Sequence, residues 1–182
     1  MTLALAIAVV VLMMAVVTLF AMLGQLVSRL PDTVLAGASR EVHPLEEARL
    51  GATAADWPDP LKPLAEDASS CLLVLSTVCA SCDDVSRQLA SFEPVLPTAV
   101  LVSCSEYGIG EAYVERYELG RFPFYVDQGG AWINTNFGVQ TSPTALVFAA
   151  GSLRDALLFQ DVSELSRRLQ TQPRELITHG QG

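Results

Sequence analysis

The strongest constraint on the fold lies between Cys71 and Phe92, where an apolar run gives way to a cysteine pair and then to an amphipathic segment. Cys71-Leu72-Leu73-Val74-Leu75-Ser76 is short and unbroken, the pattern of a strand covered on both faces. Val85, Leu89 and Phe92 then recur at helical spacing while Asp84, Arg87 and Gln88 fall on the other side, which predicts a helix over 83–92. Pro94 and Pro97 end it. Cys79 and Cys82 stand at the join of the two elements.

The same alternation continues downstream. A second buried strand is predicted at 98–103, a helix at 106–119, a short strand at 122–126 and a helical turn at 132–137. Thr144 to Ala149 reads as an apolar strand, Ala150-Gly151-Ser152 as a turn, and 153–159 as the returning partner. Asp161 or Ser163 is a candidate cap for a last helix that buries Val162, Leu165 and Leu169. Strands alternating with helices predict an α/β architecture, a parallel sheet with helices on both faces, extended here by an antiparallel hairpin.

The N-terminus has another character. Leu3 to Leu23 carries no charge, and its length suits a helix that crosses the hydrocarbon core. A cleaved signal would want a basic start, a shorter apolar run and a small-residue cleavage site close behind. No Lys or Arg precedes the run, and Ala36-Gly37-Ala38 lies far downstream. The expectation is a retained membrane anchor over 1–27. Residues 28–70 include Pro31, Pro44, Pro58, Pro60 and Pro63, and read as a linker that ends by docking on the domain, with a brief helix at 45–50 and Trp57 against its surface. The domain is expected over 71–172 and a flexible tail over 173–182.

The net charge is −9, and the ten arginines and one lysine form no run. That excludes the basic patch that binding to nucleic acid requires, and with it an electrostatic hold on anionic lipid.

Four chemistries compete for Cys79 and Cys82. A structural disulfide there would close a tiny loop and stabilise little. A zinc site needs four ligands, and the remaining candidates, Cys71, Cys104, His43 and His179, are scattered singly. Copper delivery would want a histidine beside the pair. A redox pair suits the position best. Unpaired N–H groups and the positive end of the helix favour a thiolate at Cys79, which can attack a disulfide, with Cys82 resolving the mixed disulfide. Cys71 and Cys104 read as small core hydrophobes at opposite strand ends. Asp83 and Asp84 oppose a thiolate by like charge. Thr141-Ser142-Pro143-Thr144 opens an apolar strand, and a proline there removes a ladder donor.

The stretch from about Cys71 to Leu169 resembles a thioredoxin-like domain. With the apolar N-terminus, it is similar to the membrane-tethered TlpA-type thiol-disulfide oxidoreductases, and to the thioredoxin-like accessory proteins of methylamine dehydrogenase maturation. The matching pieces are Cys79–Cys82, Phe122 to Asp127, Phe137-Gly138-Val139, and Ser142-Pro143-Thr144 with its strand. Val78 stands where the family usually has an aromatic residue, and Leu73 where it has a buried carboxylate.

The resemblance implies catalysis by Cys79 as nucleophile and Cys82 as resolving thiol, with Ser142 and Pro143 shaping the substrate groove. It implies a partner protein that carries a disulfide or thiols, and an electron donor. It also implies a domain outside the cytoplasm, against the weak orienting bias of Arg29 and Arg40. No cofactor and no metal are expected. The competing reading is a thioredoxin-fold binding or assembly factor whose cysteines do not turn over.

Overall fold

The structure is a computed structural model that describes Met13, Met14 and residues 41–171. The expected anchor, apart from those two methionines, the linker up to residue 40 and the tail from 173 lie outside the described residues. Among the described residues, no helix is long and apolar enough to cross a membrane.

Six strands form one mixed sheet in the order β1-β6-β5-β2-β3-β4. They are β1 (His43–Pro44), β2 (Ser70–Ser76), β3 (Thr98–Cys104), β4 (Phe124–Gln128), β5 (Thr144–Ala149) and β6 (Ser152–Leu158). Strands β2, β3 and β4 run parallel, while β5 is antiparallel to both β2 and β6. The helices are α1 (Lys62–Glu66), α2 (Ala80–Leu89), α3 (Tyr107–Arg116), α4 (Ala131–Phe137) and α5 (Val162–Thr171), with 3-10 turns at Asp59–Leu61 and Leu119–Arg121.

Period-two alternation divides the core between the two faces of the sheet. Leu73, Leu75, Val100 and Val102 point to one face, where α2, α3 and α5 bury Val85, Leu89, Tyr113, Val114, Leu165 and Leu169. Leu72, Val74, Leu101, Leu146 and Phe148 point to the other, which is covered by Leu61, Leu64, Ile133 and Phe137. Connections β2-α2-β3 and β3-α3-β4 thus lie on one face, and α4 carries the chain across to the other.

Several boundaries differ from the sequence expectation. Helix α2 begins at Ala80, since Cys79 caps it, and ends at Leu89. The helix expected over 106–119 stops at Arg116, and Glu118, at φ +54°, turns the chain into the following 3-10 segment. The brief helix expected at 45–50 is a pair of turns. Among the described residues, the segment from Glu41 onward belongs to the same compact unit as the sheet. Residues 41–70 add an edge strand against β6 and bury Leu45, Trp57, Leu61 and Leu64 in the second core cluster. Trp57 meets Phe148, Trp132 and Phe137 with ring centroids at 5.3, 5.5 and 5.9 Å, and Trp132 Nε1 donates to Asp56 O at 2.9 Å.

Candidate functional site

The two cysteines sit where the parallel strands end. Thr77 N donates to Ser103 O at 3.0 Å, pinning the chain as it leaves β2, and Cys79 N donates to Ser76 O at 3.3 Å. Cys79 takes an extended conformation and caps α2, its sulfur accepting the Cys82 N–H at 3.3 Å. This is the arrangement by which a side chain satisfies an unpaired donor of the first helical turn. The sulfur also meets Ser81 Oγ at 3.1 Å.

The loop before β5 completes the site. Val74 faces Thr144 across the β2–β5 ladder. That register brings Ser142 and Pro143 level with the C-terminal end of β2, beside the motif. The Ser142–Pro143 bond is cis. Cys79 Sγ lies 3.4 Å from Ser142 O and donates to it in the thiol form. Cys79, Cys82, Ser142 and Pro143 therefore occupy one place, although the two pairs lie far apart in the chain.

The two thiols differ in surroundings. Cys82 has no exposed surface, whereas Cys79 is half-buried. Burial raises the Cys79 pKa, but hydrogen bonds from Cys82, Ser81 and Ser142 outweigh it and hold the thiol below its ordinary value. At Cys82, burial and the hydrogen bond to Cys79 push the thiol up to about 12. All four cysteines are free, so this is the dithiol form.

Asp84 pairs with Arg87 in solvent, where such pairs matter little. Val78 is 89% exposed, and Tyr107 and Ile109 are also exposed at the start of α3, giving this end of the sheet an apolar surface. Leu73 is buried in the cluster that contains Cys82. A polar cleft of about 290 Å³ adjoins the site, bounded by Ser76, Ser103, Asn134, Gln140 and Ser142.

Cys71 faces Thr98, while Cys104 lies beyond the Ser76–Ser103 pair at the opposite end of the ladder, too far apart for a bridge. Arg121 donates to Ala90 O and Phe92 O at 2.6 and 2.5 Å, a structural tie rather than a substrate contact. Among the described residues, no cluster of three or more His, Cys, Asp or Glu is placed to hold a metal.

Two features escaped the sequence reading. The Ser81 contact was open to it, since a hydroxyl two residues from a helix-capping sulfur has little room to go elsewhere. The other is a buried hydrogen bond between Ser86 and Tyr113. Its partners stand 27 positions apart, and no local pattern links them.

No protein-family model and no curated protein matches the chain. Solved structures similar to it include a secreted Mycobacterium tuberculosis disulfide oxidoreductase homologous to E. coli DsbE, at 20% identity over 56% of this chain and 80% of that one, with a TM-score of 0.44. M. tuberculosis dsbF, in its mixed oxidized and reduced forms, is 21% identical over 60% of this chain and 83% of that one, TM-score 0.48. A DsbF homologue from Corynebacterium diphtheriae is 15% identical over 71% of this chain and 92% of that one, TM-score 0.45. The mixed sheet with its flanking helices, and a Cys-x-x-Cys pair at the head of α2 facing a cis-proline loop, are the architecture of a thioredoxin-like fold.

Proposed function

We propose that the chain is a thiol-disulfide oxidoreductase acting on disulfides of partner proteins. One observation carries the reading: the Cys79 sulfur caps α2, half-buried and held by hydrogen bonds, with its pKa lowered, while Cys82 is sealed beneath it with a raised one. A core cysteine has no need of that asymmetry.

In the reaction, the Cys79 thiolate attacks one sulfur of a partner disulfide. The Cys79–partner bond forms, the partner S–S bond breaks, and the second partner sulfur leaves as a thiolate that takes a proton from water. Cys82 then loses its proton to water and attacks the Cys79 sulfur. The Cys79–Cys82 disulfide forms and the partner leaves as a dithiol. Two electrons have passed from the chain to the partner, and an external dithiol must return them. The Ser142 carbonyl beside Cys79 is free to pair with an extended segment of the partner once the Cys79 thiol has lost its proton.

Reduction of insulin by the full chain, with dithiothreitol as electron source, tests the reading. Cys79→Ser is expected to abolish turnover, and Cys82→Ala to accumulate a mixed disulfide at Cys79. No insulin reduction by the unaltered chain would leave the binding or assembly role in its place.

The reading includes membrane attachment through the charge-free Leu3–Leu23 run, with the domain outside the cytoplasm. Alkaline phosphatase fused after Ser70 is expected to be active, and an inactive fusion reverses the orientation.

A further inference from the structure

Resolution asks a buried group to carry charge. Cys82 must become a thiolate where it has no exposed surface, and desolvation of that charge is costly unless a donor meets it. From the solvent side, Ser142 and the Ser76 backbone bear on the Cys82 sulfur. From the core side, β2, β5 and α5 present Leu73, Leu75, Ala145, Val162, Leu165 and Leu169, none of them ionisable.

The exception is a pair of hydroxyls. Ser86 follows Cys82 by one turn on the buried face of α2, the spacing at which side chains are neighbours. Its Oγ lies 2.9 Å from Tyr113 Oη of α3. Among the described residues, the other buried polar side chains answer to the backbone. Ser70 donates to Leu64 O, Thr144 donates to Thr141 O, and Asp127 accepts the N–H groups of Trp132 and Ile133. Ser86 and Tyr113 have each other. Two hydroxyls bring two O–H hydrogens and share one hydrogen bond, so one donor is left over. A surplus donor is wasted in a purely structural bond and useful beside a sulfur that becomes an anion.

We propose that the Ser86–Tyr113 pair positions the resolving step by donating its surplus hydrogen bond toward Cys82 as that sulfur ionises. This rests on the redox reading above and deepens it. The pair neither takes the proton, which leaves to water, nor touches the partner; Ser86 and Tyr113 are positioning residues. Tyr113 senses the sulfur in turn. Its pKa is raised by burial, lowered by the Ser86 bond, and raised again by the Cys82, Asp83 and Tyr117 charges. The ionisable groups that bear on Cys82 and Tyr113 are thus Cys79, Asp83 and Tyr117.

Ellman's reagent, an aromatic disulfide, separates the two steps on the full chain in mild detergent. The Cys79 thiolate displaces one thionitrobenzoate and forms a mixed disulfide. Cys82 then displaces the second, closing the Cys79–Cys82 bond, so the protein dithiol is oxidised and the reagent reduced. A Cys82→Ala chain calibrates the first release and any contribution from Cys71 and Cys104.

In Tyr113→Phe and Ser86→Ala the second release is expected to slow roughly three- to tenfold near neutral pH, since a lost charge-assisted hydrogen bond costs thiolate while partly raising its nucleophilicity. Its pH profile is expected to move to higher pH, while the first release keeps its rate and profile. A merely structural role would leave the position of the second profile unchanged. An unmoved second profile in both variants, or equal movement of the two profiles, overturns the inference. If the unaltered chain still reduces insulin, that outcome leaves the redox reading standing.

Discussion

At Cys79, helix geometry and a neighbouring loop combine to hold a sulfur anion. The first turn of α2 supplies the Cys82 N–H, the motif supplies Ser81, and the loop before β5 supplies Ser142. Because the folded pKa is lowered, alkylation of Cys79 by iodoacetamide is expected to reach half its limiting rate below the ~8.5 of a free thiol, with Cys82 silent over that range. Mass spectrometry of the labelled peptides checks both. Cys71 and Cys82 have the opposite sign, since burial pushes both up to about 12. Above about pH 8.5 the unfolded chain sheds thiol protons that the folded chain retains, so their contribution is full below that pH and lost as pH rises toward the folded values. Cys79 opposes this, adding stability above its unfolded pKa that fades as pH falls through the folded one. Burial raises Cys104 as well, so with three thiols against one the melting temperature of the reduced chain is expected to fall between about pH 8 and about pH 11, and less steeply in Cys71→Ala.

Among the elements, α3 depends on one small residue. A Cβ on Gly110 would come within 2.4 Å of Val126 Cγ1 and 2.9 Å of Cys104 Sγ. By helix propensity alone Gly108 and Gly110 weaken the start of this helix, yet the missing side chain at Gly110 is what lets it seat against β4. Gly110→Ala is expected to destabilise the fold by about 1–3 kcal/mol despite alanine's better helix propensity, because close-packed elements must shift. Urea unfolding of the purified variant measures it, and unchanged stability would mean that α3 can move outward freely. Asp127 does comparable work for α4, accepting the N–H groups of Trp132 and Ile133 at 3.0 and 2.9 Å. Asp127→Ala is expected to cost about 1–2 kcal/mol by the same measurement.

For the whole molecule, the segment before β2 decides whether one face of the sheet is covered. Leu72, Val74, Leu146 and Phe148 share a cluster with Trp57, Leu61 and Leu64. A chain that starts at Ser70 is expected to aggregate or lose near-ultraviolet circular dichroism, and one that starts at Glu41 to remain monodisperse. Trp57→Ala is expected to cost about 3–5 kcal/mol, and a small loss in thermal unfolding would show that the segment is only draped over the sheet. The strand–helix alternation, the buried stripes of α2 and α5 and the cysteine pair at a helix head were legible along the chain, because strand and helix periods are local geometry that side-chain spacing records. The edge strand at His43–Pro44 was not, and for Trp57 only docking on the surface was readable, not its place inside a core cluster, since proline-rich segments lack a period and take their shape from what they pack against. Of the thiol chemistry, the pull of the helix end on Cys79 was legible, and the contacts from distant parts of the chain were not. The Ser142 carbonyl reaches Cys79 from 63 positions away and Tyr113 reaches Ser86 from 27. A pKa answers to neighbours in space, and those neighbours exist only once β5 has paired with β2 and α3 has closed over α2.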